Sequence, residues 1–348
     1  MKSLICHRHK KINTWRGEKM KEETNRLEKL KTLFKIQQYI REFFTSNGFE
    51  DVQTPPIVQN PGMETHIHPF QVRSAHNKEN LDLYLHTSPE FHMKELLSVG
   101  FEKIFNISYC FRDEPNSTHH RPQFLMLEWY RKDEFYTKIM DDVEGLFKFC
   151  AKRSLEDGIN IRTEFNEFVP IKKTIQEIFI ETVNIDILEY LDKDKLAAKI
   201  RSDFKQVPLP SEKEHDQLSW DDYYFLLFLN EVEPKLKKYP FILLYNFPSH
   251  LSALSTINRE DHRVCDRFEV YSFGVEICNS FNELTDLALL KERFDGQAIM
   301  KKNLYQYSLP EPTDFYHTMK SLPTSSGIAL GVERLMMCLT KTENPFFY

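Results

Sequence analysis

Two extended runs joined by a polar loop constrain this chain more than anything else in it. The first, Ile104-Phe105-Asn106-Ile107-Ser108-Tyr109-Cys110-Phe111, is rich in β-branched and aromatic residues and reads as a strand. It runs into Arg112-Asp113-Glu114. The return run is Phe124-Leu125-Met126-Leu127-Glu128-Trp129-Tyr130. Between them Pro115, Asn116 and Ser117 favour a turn, followed by Thr118-His119-His120-Arg121. A guanidinium held at a strand end presents a planar fork of donors that suits a phosphate group. Taken alone, the hairpin also reads as structural, because many buried arginines only satisfy carbonyls or pair with a carboxylate.

A second segment, Ser326-Gly327-Ile328-Ala329-Leu330-Gly331-Val332-Glu333-Arg334-Leu335-Met336-Met337-Cys338-Leu339, places two glycines around a short apolar run and then apolar residues at helical spacing. It reads as a strand entering a helix, with Gly331 allowing a ligand to approach the backbone. Arg334, three residues on, shares its face. An arginine beside a helix N-terminus is a favourable place for phosphate. A core helix with a solvated arginine has the same pattern.

The third segment runs from Arg267 to Glu283 and reads as a hairpin turning around Ser272-Phe273-Gly274. With the turn centred between Ser272 and Phe273, Glu269 and Glu276 lie directly opposite each other. Like charges so paired cost stability unless a cation bridges them, and carboxylates beside a phosphate make a natural magnesium site. A register with one glutamate facing solvent is the alternative. Glu283 falls beyond the second strand, where it could meet a substrate ammonium.

The remaining chain bounds the class. At 348 residues it suits one large domain or two, and 41% hydrophobic content fills a substantial core. Six cysteines without metal-ligand spacing read as reduced core residues. No apolar run approaches a membrane span, and residues 1–20, with Cys6-His7-Arg8-His9-Lys10-Lys11, lack the apolar core of a signal peptide. Residues 1–22 read as a disordered extension and 23–348 as a catalytic domain. A net charge of −6 gives no general pull toward nucleic acid. Leu27, Leu30, Leu33, Phe34, Ile40, Phe43 and Phe44 form a helical stripe. Residues 135–205 read as mostly helical. Leu226 to Leu229 read as a buried helix ending near Pro234, and Phe241 to Tyr245 as a buried strand. The expected fold is α+β, an antiparallel sheet flanked by helices, in a cytoplasmic enzyme.

These three segments resemble the motifs of class II aminoacyl-tRNA synthetases of lysyl type. Gly48-Phe49-Glu50-Asp51-Val52-Gln53-Thr54-Pro55 resembles motif 1, Phe111 to Arg131 motif 2, and Gly331-Val332-Glu333-Arg334 motif 3. Thr87-Ser88-Pro89-Glu90 resembles the amino-acid-binding loop, and the likeness runs from about Leu27 to Leu339. Met93-Lys94-Glu95-Leu96-Leu97, Met126 to Arg131, Asp261-His262-Arg263-Val264 and Glu283-Leu284-Thr285-Asp286 are most similar to the lysyl-synthetase paralogues that ligate lysine to elongation factor P. Too little chain precedes Gly48 for the β-barrel anticodon-binding domain of a lysyl-tRNA synthetase, so none is expected, and tRNA is an unlikely partner.

The resemblance implies ATP and Mg2+, an adenylate of (R)-β-lysine or lysine, and a protein lysine acceptor on elongation factor P. It implies Arg112 on the α-phosphate, Glu114 on the adenine amino group, Phe124 stacked on the ring, and Arg334 over its other face or at the γ-phosphate. His120 would touch the terminal phosphates, with Asp113, Arg121, Ile277 and Gly331 as further ATP contacts. Arg112 and Arg334 are the expected catalytic residues, and Glu269 and Glu276 the expected metal pair. Ser88, Pro89, Glu90, Tyr130, Glu283 and Ala329 would hold the amino acid; Ala329 stands where lysyl-tRNA synthetases usually have glycine. Motif 1 makes a homodimer contact in the family. The chain departs from the family's His-Asn-Pro-Glu-Phe at His120-Arg121-Pro122-Gln123-Phe124. An enzyme charging tRNA or another small acceptor, and a non-catalytic regulatory paralogue, are the two other readings.

Overall fold

Period-2 alternation on four neighbouring strands separates a helix-covered face from an open one. In the computed structural model, which describes residues 25–76, 82–115, 120–210, 215 and 218–347, Leu125, Leu127 and Trp129 point into a core, while Phe124, Met126, Glu128 and Tyr130 face a cleft. The strands are β1 (Glu50–Asp51), β4 (Lys103–Phe111), β5 (Gln123–Lys132), β6 (Ile171–Thr174), β7 (Ile242–Pro248), β8 (Val264–Ser272), β9 (Val275–Asn282) and β10 (Ser325–Gly331). They form one eight-stranded sheet in the order β1-β4-β5-β10-β9-β8-β7-β6. The pairs β1–β4 and β6–β7 are parallel and the rest antiparallel, so the expected antiparallel sheet is mixed at both edges. Two short strands, β2 (Ile57–Val58) and β3 (Tyr84–Leu85), make a separate ribbon.

Helices cover the sheet. The helix at 25–46, α1, packs with α3 (Tyr136–Glu156) and α9 (Val332–Leu339) against the closed face. Its buried stripe is Leu33, Ile36, Tyr39, Ile40, Phe43 and Phe44, whereas Leu27 and Phe34 of the expected stripe are about half exposed, at 53% and 52%. A second core lies around α4 (Ile175–Val183), α5 (Lys193–Asp203) and α6 (Trp220–Leu227). Here the helix does not end near Pro234: a five-residue π turn, Phe228–Val232, leads into a 3-10 run, Glu233–Lys238, with Pro234 at its start, where a missing N–H costs nothing. The third core joins α2 (Glu90–Ser98), α7 (Leu287–Tyr305) and α8 (Thr313–Met319) beside the cleft. The expected disordered extension, residues 1–22, lies outside the described residues, as do 116–119 of the polar loop.

Candidate active site

The cleft, about 430 Å³, lies over β5, β10, β9 and β8 on the open face of the sheet. Arg112 follows the last residue of β4, and its guanidinium stacks 5.3 Å from the Phe124 ring. Its Nε lies 3.4 Å from the Thr87 carbonyl, just before the Ser88-Pro89-Glu90 loop. Arg334, in the first turn of α9, donates from Nη1 to the Glu276 carbonyl at 2.8 Å, and its Nη2 lies 3.1 Å from His120 Nε2. Motif-like segments far apart in sequence thus meet at one end of the cleft. Arg121 also lines it, with its guanidinium 4.7 Å from the ring of Phe346 near the C-terminus.

The Glu269 and Glu276 pairing needs correction. Glu269 faces Asn279 and Tyr271 faces Glu276, because one step along β8 from Val270 to Tyr271 spans two along β9, from Cys278 to Glu276. Ile277 is the extra residue, a β-bulge. The turn itself is Phe273-Gly274, both at positive φ (50° and 81°), the two-residue form that matches strand twist. The bulge still brings Glu276 into the electrostatic reach of Glu269. Burial, and then the Glu269 charge, push the Glu276 carboxyl up to about 7 against the pull of Arg334, Arg267 and Arg112. The two differ in availability. Glu269 is taken by Arg267 and by Tyr271 Oη at 2.6 Å, whereas the Glu276 carboxylate faces the cleft with no side-chain hydrogen bond among the described residues. Among the described residues no group of three or more His, Cys, Asp or Glu side chains forms a cage for a metal. Glu276 with triphosphate oxygens is nevertheless a donor set that fits Mg2+, which binds few protein carboxylates and completes its shell elsewhere.

The other end of the cleft is acidic. Glu64, Glu90, Glu128 and Glu283 line it, and β5 contributes Tyr130, whose Oη donates to Glu128 at 3.0 Å. Lys94, on α2 and 1% exposed, sits behind them with Nζ 2.6 Å from Glu90 Oε1 and 2.6 Å from Glu283 Oε2. Burial draws the Lys94 ammonium down, but Glu283 and Glu90 outweigh it and hold the group above the ordinary lysine range. Burial pushes Glu283 up to about 7 despite Lys94, and raises Glu128 well beyond the usual carboxylate range, with Glu90 adding to it. Gly327 is required here: a Cβ would run into the Tyr130 ring and Glu283 Oε1. Beneath the site Glu333 accepts the Leu125 N–H at 2.9 and 3.0 Å, and burial lifts it to about 7.

The family described as tRNA synthetases class II (D, K and N) matches residues 13–344. The chain belongs to this family. Among similar synthetase-family proteins, one from Yersinia enterocolitica is 36% identical over 314 residues, which cover 88% of this chain and 90% of the relative. One from Enterobacter sp. (strain 638) is 35% identical over 312 residues, with 88% and 90% covered. One from Hamiltonella defensa is 34% identical over 310 residues, with 88% and 89% covered. All three are named elongation factor P--(R)-beta-lysine ligase.

Against this synthetase frame, the cleft gathers Arg112, Glu114, His120, Arg121, Phe124, Glu276, Ile277, Gly331 and Arg334 at one end, and Ser88, Glu90, Tyr130, Glu283 and Ala329 toward the other. Asp113, Pro89 and Glu269 stand outside its lining. Asp113 is held by its backbone to the His68 carbonyl at 2.7 Å, and Pro89 is the residue before α2. Lining or supporting groups that went unread as site residues include Glu64, Lys94, Glu128 and Arg267. Glu128 alone had a readable signal, two positions from Met126 and Tyr130 on the same strand face.

Proposed function

We propose that this synthetase-family protein activates (R)-β-lysine with ATP and transfers it to a lysine side chain of elongation factor P. The single observation that carries the reading is the cleft's polarity: arginines and Glu276 at one end, a surplus of carboxylates at the other, on one rigid sheet. A dibasic amino acid needs acidic partners once desolvated, and Lys94 offsets only one of the four carboxylates around it. The names of the relatives support the same substrate and acceptor.

In this reading Phe124 and Glu114 hold adenine, and Arg112, His120 and Arg334 hold the phosphates. The amino acid carboxylate attacks the α-phosphorus as the bond to pyrophosphate breaks, and Arg112 offsets the charge that develops there. Mg2+ would supply positive charge to the phosphates when bound, and Glu276 would be the residue to hold it. The acceptor amine then attacks the adenylate carbonyl, and AMP leaves. No protein nucleophile enters; alignment and fixed charge do the catalysis. Glu276 must be ionised for this role, so kcat/KM for limiting Mg-ATP, which reports the free enzyme, is expected to rise with pH through about 7, and Glu276→Gln to flatten that rise and raise the Mg2+ requirement in ATP–pyrophosphate exchange.

The half-exposed Phe34 and Leu27 of α1, a helix whose Arg41 pairs with Asp51 of edge strand β1, support a homodimer, which sedimentation equilibrium tests. No described helix is long and apolar enough to cross a membrane, and the ATP-dependent chemistry points to the cytoplasm. The deciding experiment incubates the protein with Mg-ATP, each lysine isomer and elongation factor P, then weighs the factor by mass spectrometry. A mass gain with (R)-β-lysine is expected. No gain with any isomer, alongside charging of added tRNA, overturns the reading.

A further inference from the structure

We propose that Glu64 is a specificity-determining residue that takes the ammonium group nearest the reacting carboxylate of the amino acid; the assignment rests on the lysine-activating reading above. Glu64 lines the cleft, in a segment that belongs to no helix or strand of the sheet. Its electrostatic neighbours define its place. Glu90 and Arg112 line the same cleft and both act on its charge, so it is within reach of the acidic end and of the phosphate-binding end. A substrate whose carboxylate reaches the α-phosphate beside Arg112 must carry its first ammonium through this region.

The other carboxylates are already engaged. Glu90 and Glu283 share Lys94, and Glu128 accepts from Tyr130. Apart from its own backbone N–H, Glu64 has no hydrogen-bond or ion-pair partner among the described residues. Lys301, the remaining cation nearby, directs its Nζ to the Ile67 carbonyl at 2.7 Å and toward Tyr307 Oη at 3.3 Å. The Glu64 side chain is solvent-accessible through the cleft mouth, yet the crowded wall and the Glu90 charge still raise its carboxyl above the usual range. An incoming ammonium relieves both.

The wall that carries Glu64 is fixed rather than loose. Thr65 N donates to Gln297 Oε1 at 2.9 Å, His66 Nδ1 lies 2.8 Å from Tyr305 Oη, and His68 Nδ1 lies 2.7 Å from Tyr307 Oη. On the other side the Glu64 carboxylate lies over Gly62, whose φ of 120° disfavours any side chain there. A carboxylate with no partner on another residue, held on a rigid support, is how a site selects a donor group.

The test pairs deletion of the carboxylate with deletion of its partner on the substrate. Glu64→Gln and Glu64→Ala are compared with the parent in ATP–pyrophosphate exchange, using (R)-β-lysine, lysine and 6-aminohexanoate, which lacks the ammonium near the carboxylate. The expected result is a fall of about tenfold or more in kcat/KM for both lysines, with 6-aminohexanoate within about twofold of the parent and melting temperatures unchanged. An unchanged ratio between lysine and 6-aminohexanoate overturns the assignment, whether both stay constant or both fall together. A parent that activates none of the three compounds instead removes the lysine-activating reading, and the role of Glu64 with it.

Discussion

Lys94 occupies the space between two glutamates that a substrate ammonium would otherwise claim. Removing one partner from a buried ion cluster leaves uncompensated charge, so Lys94→Met is expected to cost about 3–5 kcal/mol in urea unfolding at pH 7. Adding Glu283→Gln should restore part of that loss, since it removes one of the stranded carboxylates. Gly327→Ala is expected to abolish amino-acid-dependent pyrophosphate exchange, because the new methyl displaces the Tyr130 ring and Glu283. ATP binding followed by calorimetry should survive it. At this scale, Arg112, Arg334, Glu276 and Glu283 were legible because each sits in a segment whose turn or glycine pattern betrays a ligand. Lys94 and Glu64 were not, since a charged residue on α2 or in an irregular stretch reads as solvated until the packing partners are known.

Glu333 links a helix to a strand, and its titration belongs to that junction. Its carboxyl is raised from 4.5 to about 7 by burial. A carboxyl raised in the folded state contributes stability that is full below the unfolded value and is lost as pH rises through the folded one. The parent is therefore expected to lose about 2.5 kcal/mol from this group between pH 5 and pH 8. Glu333→Gln keeps an acceptor for the Leu125 N–H and should lack that part of the decline, read as the difference between the two proteins in urea midpoints at both pH values. The motif hairpins and the strand-to-helix passage at Gly331 were readable from alternation and glycine placement. The bulge at Ile277 was not, because counting outward from a turn assumes one residue opposite one. The helical turns running past Pro234 escaped for a related reason: proline stops a helix only where its N–H would have been used.

Strand β7 ties the whole molecule together. Leu243 lies in the core under α1 and α3, Leu244 in the core around α4 to α6, and both are fully buried. Each leucine-to-alanine change is expected to cost about 2–5 kcal/mol. Because β7 and β8 serve both cores, calorimetry should record one transition in each variant, shifted rather than split; two separated peaks would contradict a shared core. The α+β class was legible from the mixture of alternating and helical patterns. The parallel pairing at the sheet edges was not, since β1 and β6 are too short to carry a pattern of their own.

Thr87 and Asp113 hold residues 60–68 at the Pro61 and His68 carbonyls, but most of the other links reach toward the far end of the chain. Asn60 bonds to Pro310, Thr65 to Gln297, His66 to Tyr305 and Ile67 to Lys301, across 232 to 250 positions. A growing polypeptide on the ribosome therefore carries this wall for most of its synthesis with only its near anchors, Thr87 and Asp113, in place. Closing so long a loop adds little to the entropy already spent on shorter ones, so assembly is timed by when α7 and the segment after it emerge. A partly translated chain can form the first hairpin, but it cannot yet trap an amino acid.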